Sequence, residues 1–406
     1  MNRNRAEEQR QADSRLARLW EILVVSGKLG LTSFGGPSAH LGYFYDEYIR
    51  RRGWLDERSY ADLVALCQFL PGPASSQVGI GIGVLRAGLW GGIAAWLGFT
   101  LPSVLLMVLF AFFLQGSELV ADGWLHGLKV VAVAVVAHAI LGMGKTLAPD
   151  RCRATIAVLA AAAALLWQTA LSQLVIILSA GLLGYFLLPK ADRPASSEIA
   201  VGVPRSAAII CLGLFFLLLL ALPVLRQLLS GPWAAVFDSF YRAGSLVFGG
   251  GHVVLPLLER EVVPTGWVSK EAFLAGYAAA QAVPGPLFTF AAYLGAVMGG
   301  WAGAVVATLA IFLPAFLLVI GSLPYWQALR RRSSLQGVLA GINAAVVGIL
   351  LAALYDPLWT DTIQKPLDAA LAAVLYLLLA IWRTPPWIVV VAGAAGGALM
   401  DLFIAG

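Results

Sequence analysis

Two short motifs, each present twice, hold most of the residues that could handle a ligand. Residues 34–37 read Phe-Gly-Gly-Pro and residues 248–251 read Phe-Gly-Gly-Gly, while Pro71-Gly72-Pro73 recurs as Pro284-Gly285-Pro286. A Pro-Gly-Pro run is a strong helix break. The first proline drives the preceding residue out of the helical region, and the second suits the first turn of a new helix. Whatever follows, Ala74-Ser75-Ser76 or Leu287-Phe288-Thr289, then begins a helix with free amides and a positive dipole end, both anion-binding features. The hydroxyls of Ser75, Ser76 and Thr289 would add donors. A packing kink explains one such motif as well as function does; two related copies favour function. The paired glycines Gly35/Gly36 and Gly249/Gly250 permit a tight turn whose amides could cradle an oxyanion, with close helix packing as the plainer reading.

Charged and titratable groups sit at matching places. Lys28 lies six residues before Phe34, and Arg242 six before Phe248. A cation in an apolar segment is costly and points to function when no partner is evident, against snorkelling to an interface. Lys129 corresponds to Asn343, so the repeat does not support a charge there. His40 and His252 follow the glycine motifs and could carry a proton on and off near neutral pH. Asp46/Glu47 and Glu259/Glu261 are further proton-relay candidates, though a solvated loop end is the simpler account. Gln68 and Gln281, each three residues before a Pro-Gly-Pro, suit hydrogen bonds to a ligand. The Gly-rich run at 79–83 lacks the lysine of a phosphate-binding loop and reads as helix packing. Three scattered cysteines and four scattered histidines show no metal-ligand spacing, and no cofactor is expected.

The elements that must position these residues are membrane helices. Of 406 residues 60% are apolar and 12% charged, against about 25% charged in soluble proteins. Mean hydropathy is +0.83. Charge-free stretches long enough to span a bilayer follow one another, so the partner is lipid. The net charge of +5 lies in loops flanking apolar spans, which excludes nucleic acid as its target. The polar first 15 residues read as a cytoplasmic tail, not a cleaved leader.

The motif copies stand 213 to 214 residues apart, and the correspondence extends through Gly53-Trp54 with Gly266-Trp267 and Leu101-Pro102 with Leu313-Pro314. A near-constant offset over about a hundred residues marks a duplicated chain. The sequence predicts an all-α polytopic membrane protein of two homologous halves. Residues 1–15 form the tail, 16–189 the first repeat, 190–231 a linker with one extra transmembrane helix, and 232–406 the second repeat. Basic clusters at Arg50-Arg51-Arg52, Lys145/Arg151/Arg153, Lys190/Arg193/Arg205 and Arg330-Arg331-Arg332 all fall on one side if the glycine and Pro-Gly-Pro segments each leave and re-enter on one face; about thirteen conventional spans would also invert the copies but fit the charges less well. The loop equivalent to the second triple arginine, at 116–123, is acidic. Opposite charge at equivalent loops predicts an inverted repeat with broken or re-entrant helices at both motifs.

The motif set resembles the chromate ion transporter family in its long two-domain form. The resemblance rests on SFGGPSAHL at 33–41, Gly53-Trp54-Leu55, FLPGPASSQVGIGIG at 69–83, FGGGHVVLPLLEREVV at 248–263 and QAVPGPLFTFAAYLGA at 281–296, and covers nearly the whole chain. It implies a secondary transporter, not an enzyme. Its expected task is chromate export across the inner membrane with protons as coupling ion, giving chromate resistance, with the N-terminus cytoplasmic. Sulfate, also a tetrahedral dianion, is the natural competitor. An oxyanion channel or importer is the alternative, and a homodimer is compatible with this reading. Gly251 in place of the motif proline makes the two glycine turns imperfect equivalents.

Overall fold

The computed structural model describes residues 2–34, 36–116, 122–167, 170–188, 203–228, 231–248, 253–326 and 333–404. Among the described residues every regular element is helical. Gly35, Gly249, Gly250 and His252 lie outside them, as do Glu118, most of the 190–205 linker and Arg330-Arg331-Arg332.

Each repeat begins with two helical hairpins whose tips are the two motifs. α1 (Asn2–Thr32) runs to the first glycine motif, and α2 (Gly36–Phe44), continued by a wider π-helical stretch Tyr45–Arg51, returns beside it. Ser26 Oγ lies 2.9 Å from Tyr48 Oη, and Lys28 Nζ 3.4 Å from Glu47 Oε2, so the two limbs on either side of the motif face each other. α3 (Glu57–Phe69) and the start of α4 (Ala74–Gly116) make the second hairpin, with Leu63 packed directly on Gly81 and Gly72 at the tip. α4 is two limbs. Ala87 and Gly88 leave helical backbone angles, Gly88 at φ +67°, and limb 89–116 turns back from limb 74–86 there.

The second repeat does the same. α9 (Pro232–Leu246) and α10 (Val254–Val262) flank the second glycine motif, and Arg242 reaches Glu261 across that hairpin at 3.6 Å. α11 (Lys270–Ala282) and α12 (Phe290–Ser322) flank the second Pro-Gly-Pro, with Tyr293 Oη donating to the Ala272 carbonyl at 2.7 Å. α12 breaks at Gly299 and Gly300. A 13-residue helix such as α3 or α11 rises about 20 Å, short of the roughly 30 Å hydrocarbon layer. These hairpins enter and leave by one face. Their polar tip backbone is tolerated because protein covers it.

Limb 89–116 fixes the relation between the halves. It begins beside Arg86, which pairs with Glu21 (2.7 Å) near Arg52 at the base of the first hairpins. It ends near Gln115, whose amide donates to the Val297 carbonyl (3.1 Å) at the base of the second repeat's hairpins. A helix of that length rises about 40 Å. The first repeat's hairpins therefore enter from one face, hereafter face A, and the second's from the opposite face B: the repeats are inverted.

The remaining helices interlock the halves. α5 (Asp122–Leu147) packs on α14 (Pro366–Ala380) and α15 (Pro386–Ile404) of the other repeat. In exchange α13 (Ser333–Ala353) packs on α6 (Arg151–Leu166) and α7 (Ala170–Leu187). His126 Nε2 lies 2.8 Å from Asp368 Oδ1, joining α5 to α14. The extra helix α8 (Arg205–Leu228) is the most apolar candidate span and only 11% of that span is buried, so it faces lipid.

Candidate functional site

The four hairpin tips meet at the centre, and they meet by exchange. Gly72 N–H donates to the Val247 carbonyl (2.6 Å), just before the second glycine motif, and Gly285 N–H donates to the Ser33 carbonyl (2.9 Å), just before the first. Equivalent atoms bond to equivalent atoms across the repeats, the signature of a twofold relation. Both donors need glycine, since Gly72 has φ +121° and Gly285 φ +98°. The Pro-Gly-Pro carbonyls are also occupied. Gln77 Nε2 donates to Pro71 O (2.7 Å), and Thr289 N and Oγ1 both donate to Pro286 O (3.0 and 2.9 Å).

Around this crossing lies a group of buried polar side chains that the protein leaves partly unpaired. Ser33 Oγ, His40 Nε2, Ser76 Oγ, Gln77 Oε1, Thr100 Oγ1 and Ser103 Oγ have no hydrogen-bond partner among the described residues. Each of these residues is at most 2% exposed. Such atoms are uncommon in folded proteins, because a buried unpaired hydroxyl costs about 1–3 kcal/mol. They are neighbours. His40 Nδ1 lies 3.3 Å from Ser75 Oγ, the imidazole edge packs on Phe99 (5.4 Å between centroids), and the Ser33 carbonyl lies beside the ring. Thr100 follows Phe99, and Ser103 is one turn on, its hydroxyl where a β-carbon on Gly285 would sit. Limb 74–86 starts here as an α-helix, with Gln77 N–H the first to reach back, to Pro73 O (2.9 Å). The amides of Ala74, Ser75 and Ser76 belong to the orphan first turn.

A cavity of about 410 Å³ reaches the crossing at Gly36 and Gly285, although none of these unpaired side chains lines it. Gly36, Gln281, Val283 and Gly285 line its inner end, and His138, Arg383 and Thr384 lie towards its mouth. Since α5 starts at face B and ends at face A, Val135 and His138 place the cavity in the face A half. Arg383, exposed and held at φ +53°, tops the turn between α14 and α15. Gln281 Nε2 is buried and without a partner among the described residues. A second cavity of about 270 Å³, lined by Glu259, Arg260, Lys270, Asp356, Ile349 and Ala352, lies on the face B side. Ile349 and Ala352 are the repeat equivalents of Val135 and His138, so the two openings are related by the internal symmetry. The second does not reach the tips.

The structure sorts the residues singled out from the sequence. Gly36, His40, Pro71, Gly72, Pro73, Ser75, Ser76, Gln281, Pro284, Gly285, Pro286 and Thr289 gather at the tips, although the Thr289 proton is spent on Pro286. Lys28 and Arg242 do not. Lys28 pairs with Glu47 at the hairpin base and is 55% exposed, and Arg242 pairs with Asp238 (2.6 Å) and Glu261. Glu47 and Glu261 stand one hairpin limb away, invisible to a reading along the chain, whereas Asp238 lies one turn before Arg242 on the same helix. Gln68 is on the exposed side of α3, whereas its counterpart Gln281 lines the cavity. Gly35, Gly249, Gly250 and His252 fall outside the described residues. Sequence reasoning missed Ser33, Gln77, Thr100, Ser103, His138 and Arg383. Thr100 and Ser103 carried one signal: two hydroxyls, three residues apart, around a helix proline in an apolar run.

Comparison with known proteins gives a consistent result. The family model described as chromate transporter matches residues 20–185 and again 233–398, once per repeat. The chain is 30% identical over 384 residues to a protein of Pseudomonas aeruginosa named chromate transport protein, covering 91% of this chain and 89% of that one. It is 27% identical over 383 residues to a protein of the same name from Cupriavidus metallidurans, covering 93% and 92%. An uncharacterised transporter of Bacillus subtilis is 34% identical over 118 residues, which span 66% of that protein and 29% of this chain, so it is about one repeat long. No solved structure matches the chain.

Proposed function

The chain belongs to the chromate transporter family, and from that premise we propose that it exports chromate across the cytoplasmic membrane. The observation that carries this reading is the tip crossing. Unpaired hydroxyls, an imidazole nitrogen and a helix first turn converge there beneath a cavity with an arginine at its mouth. A dianion taken from water needs several donors, because uncompensated burial of charge is very costly. Backbone amides and hydroxyls at the tips supply them, as helix-terminus sites do in other inverted-repeat transporters.

The direction follows from charge. Face A carries seven Lys and Arg residues, Arg50, Arg51, Arg52, Arg86, Lys145, Arg151 and Arg153, against five on face B, Arg226, Arg242, Arg260, Lys270 and Lys365. The positive-inside rule makes face A cytoplasmic, together with the N-terminus. The larger cavity then opens to the cytoplasm, ready to load an anion for export. The inside-negative potential itself favours anion exit, worth about 2.3 kcal/mol per charge per 100 mV. Protons are the proposed coupling ion, with His40 their carrier at the crossing. Resistance to chromate follows from its removal, and sulfate competes because its shape and charge are the same.

Radiolabelled chromate uptake into inverted membrane vesicles tests the reading. Uptake should exceed that of vesicles lacking the protein, rise with an imposed proton gradient and fall with added sulfate. Uptake equal to the control would refute transport of chromate. Uptake that a proton gradient leaves unchanged would remove proton coupling.

A further inference from the structure

The two repeats are equivalent in backbone but not in chemistry at the crossing. Ser33, His40, Thr100 and Ser103 of the first repeat correspond to Val247, Val254, Phe312 and Ala315 of the second. All four replacements are apolar and buried. Ser75 corresponds to Phe288, and Ser76 to Thr289, whose hydroxyl already donates to Pro286 O. The helix starts differ as well. Limb 74–86 begins as an α-helix with free first-turn amides, whereas the second repeat begins with a tight 3-10 turn, Leu287–Thr289, that ties Thr289 N–H to Pro286 O. The second repeat fills its side with rings: Phe273, Tyr277, Phe290 and Tyr293 pack on one another at 5.1 to 6.1 Å.

We propose that the protein holds a single pocket for a tetrahedral oxyanion, built by the first repeat alone from Ser33, His40, Ser76, Thr100 and Ser103, with Gly285 of the second repeat as its wall. This rests on the transport reading above and deepens it. Five unpaired polar atoms, each residue at least 98% buried, sit on four segments that meet at the crossing: Ser103 Oγ lies against Gly285, the Ser33 carbonyl accepts from the Gly285 amide, and His40 lies beside Ser75 and Phe99, next in sequence to Ser76 and Thr100. Ser75 can donate to His40 Nδ1, which leaves the imidazole proton on Nε2, within reach of the Ser33 carbonyl beside the ring as well as of a ligand. Ser33, Ser76, Thr100 and Ser103 each keep a free hydroxyl proton. Four hydroxyls, one N–H and the first-turn amides of a helix suit four anionic oxygens better than they suit a cation, since the donors outnumber the free acceptors. Two matched half-sites, the simplest expectation from an inverted repeat, are not what the side chains make.

The test uses purified full-length protein, with thermal unfolding measured against chromate, molybdate, sulfate and chloride. Wild type should gain stability with the tetrahedral oxyanions and not with chloride. Thr100→Val with Ser103→Ala removes two unpaired hydroxyls while nearly keeping volume. Each lost hydroxyl should weaken oxyanion binding about tenfold. The anion-free protein should hold or raise its unfolding temperature, because orphaned groups are gone; hydroxyls with a structural role would lower it. Ser76→Ala should likewise weaken binding, and serves if the double variant fails to fold. Thr308→Val, on the equivalent limb of the second repeat where the hydroxyl already donates to Ala304 O, should bind as wild type does. Wild-type affinity in the double variant or in Ser76→Ala would overturn the pocket. Equal loss in Thr308→Val would overturn its one-sidedness. If wild type neither binds nor transports any oxyanion, the transport reading itself falls and the pocket with it.

Discussion

Replacing Gly285 with alanine puts the central exchange to a quantitative test. Two separate costs can be worked out. At φ +98° an L-residue is strained by about 1–2 kcal/mol. The added β-carbon would also collide with Ser103 Oγ and come within 3.3 Å of the Phe99 carbonyl, an overpacking cost of about 1–3 kcal/mol. Gly285→Ala should therefore destabilise the protein by about 2–5 kcal/mol. The two costs can be separated by a double-mutant cycle. Ser103→Ala removes the colliding oxygen and leaves Ser103 Cβ at an ordinary 3.4 Å, so it should restore only the collision part. The coupling energy should be about 1–3 kcal/mol, read by thermal or denaturant unfolding in one detergent. Chromate uptake should not recover with stability, because Ser103 is also a donor to the anion. Additive effects of the two substitutions, or wild-type stability in Gly285→Ala, would refute the account of how the tips meet.

Arg383→Gln should raise the apparent KM for chromate several-fold and flatten its dependence on salt, since an exposed cation at a cavity mouth acts by attraction that ions screen. Lys28→Gln should leave chromate KM near wild type and cost under about 1 kcal/mol of stability, because its pair with Glu47 is half exposed. Arg242→Gln should cost more, about 2 kcal/mol, by stranding part of the buried Asp238 charge that Arg226 then holds alone at 3.4 Å; protein yield and unfolding would show it. The Pro71→Ala, Pro284→Ala double variant should insert and fold yet lose transport, and full chromate resistance at equal membrane level would place the anion elsewhere. At the aqueous base of the first hairpin, burial pushes the Glu47 carboxyl up, but Arg52 and Lys28 outweigh it and hold it below the usual range. A depressed carboxyl stabilises above its unfolded pKa and stops doing so as pH falls through the folded one. Acid below the ordinary carboxylate range should therefore loosen that base, and hydrogen exchange at residues 45–52 would rise first.

Much of the architecture is written along the chain. Proline lacks an amide proton and glycine tolerates positive φ, so the breaks at residues 71–73 and 284–286 are local consequences of residue type. Membrane insertion follows from hydropathy, duplication from the constant offset, and inversion from the sign of charge at equivalent loops. Those properties depend on neighbours in sequence or on sums over a segment. The partners do not. That Gly72 bonds to Val247, that Lys28 is neutralised by Glu47, or that Gln281 lines a cavity while Gln68 does not, depends on how separate helices pack. The repeat correspondence gave matched candidates at both tips, since it records position and not the company each side chain keeps. Only the packed molecule shows that Ser103 turns an unpaired hydroxyl towards Gly285 and that Thr100 Oγ1, one turn away, is buried without a partner among the described residues. A buried donor without a partner becomes visible only once every other group around it has been placed.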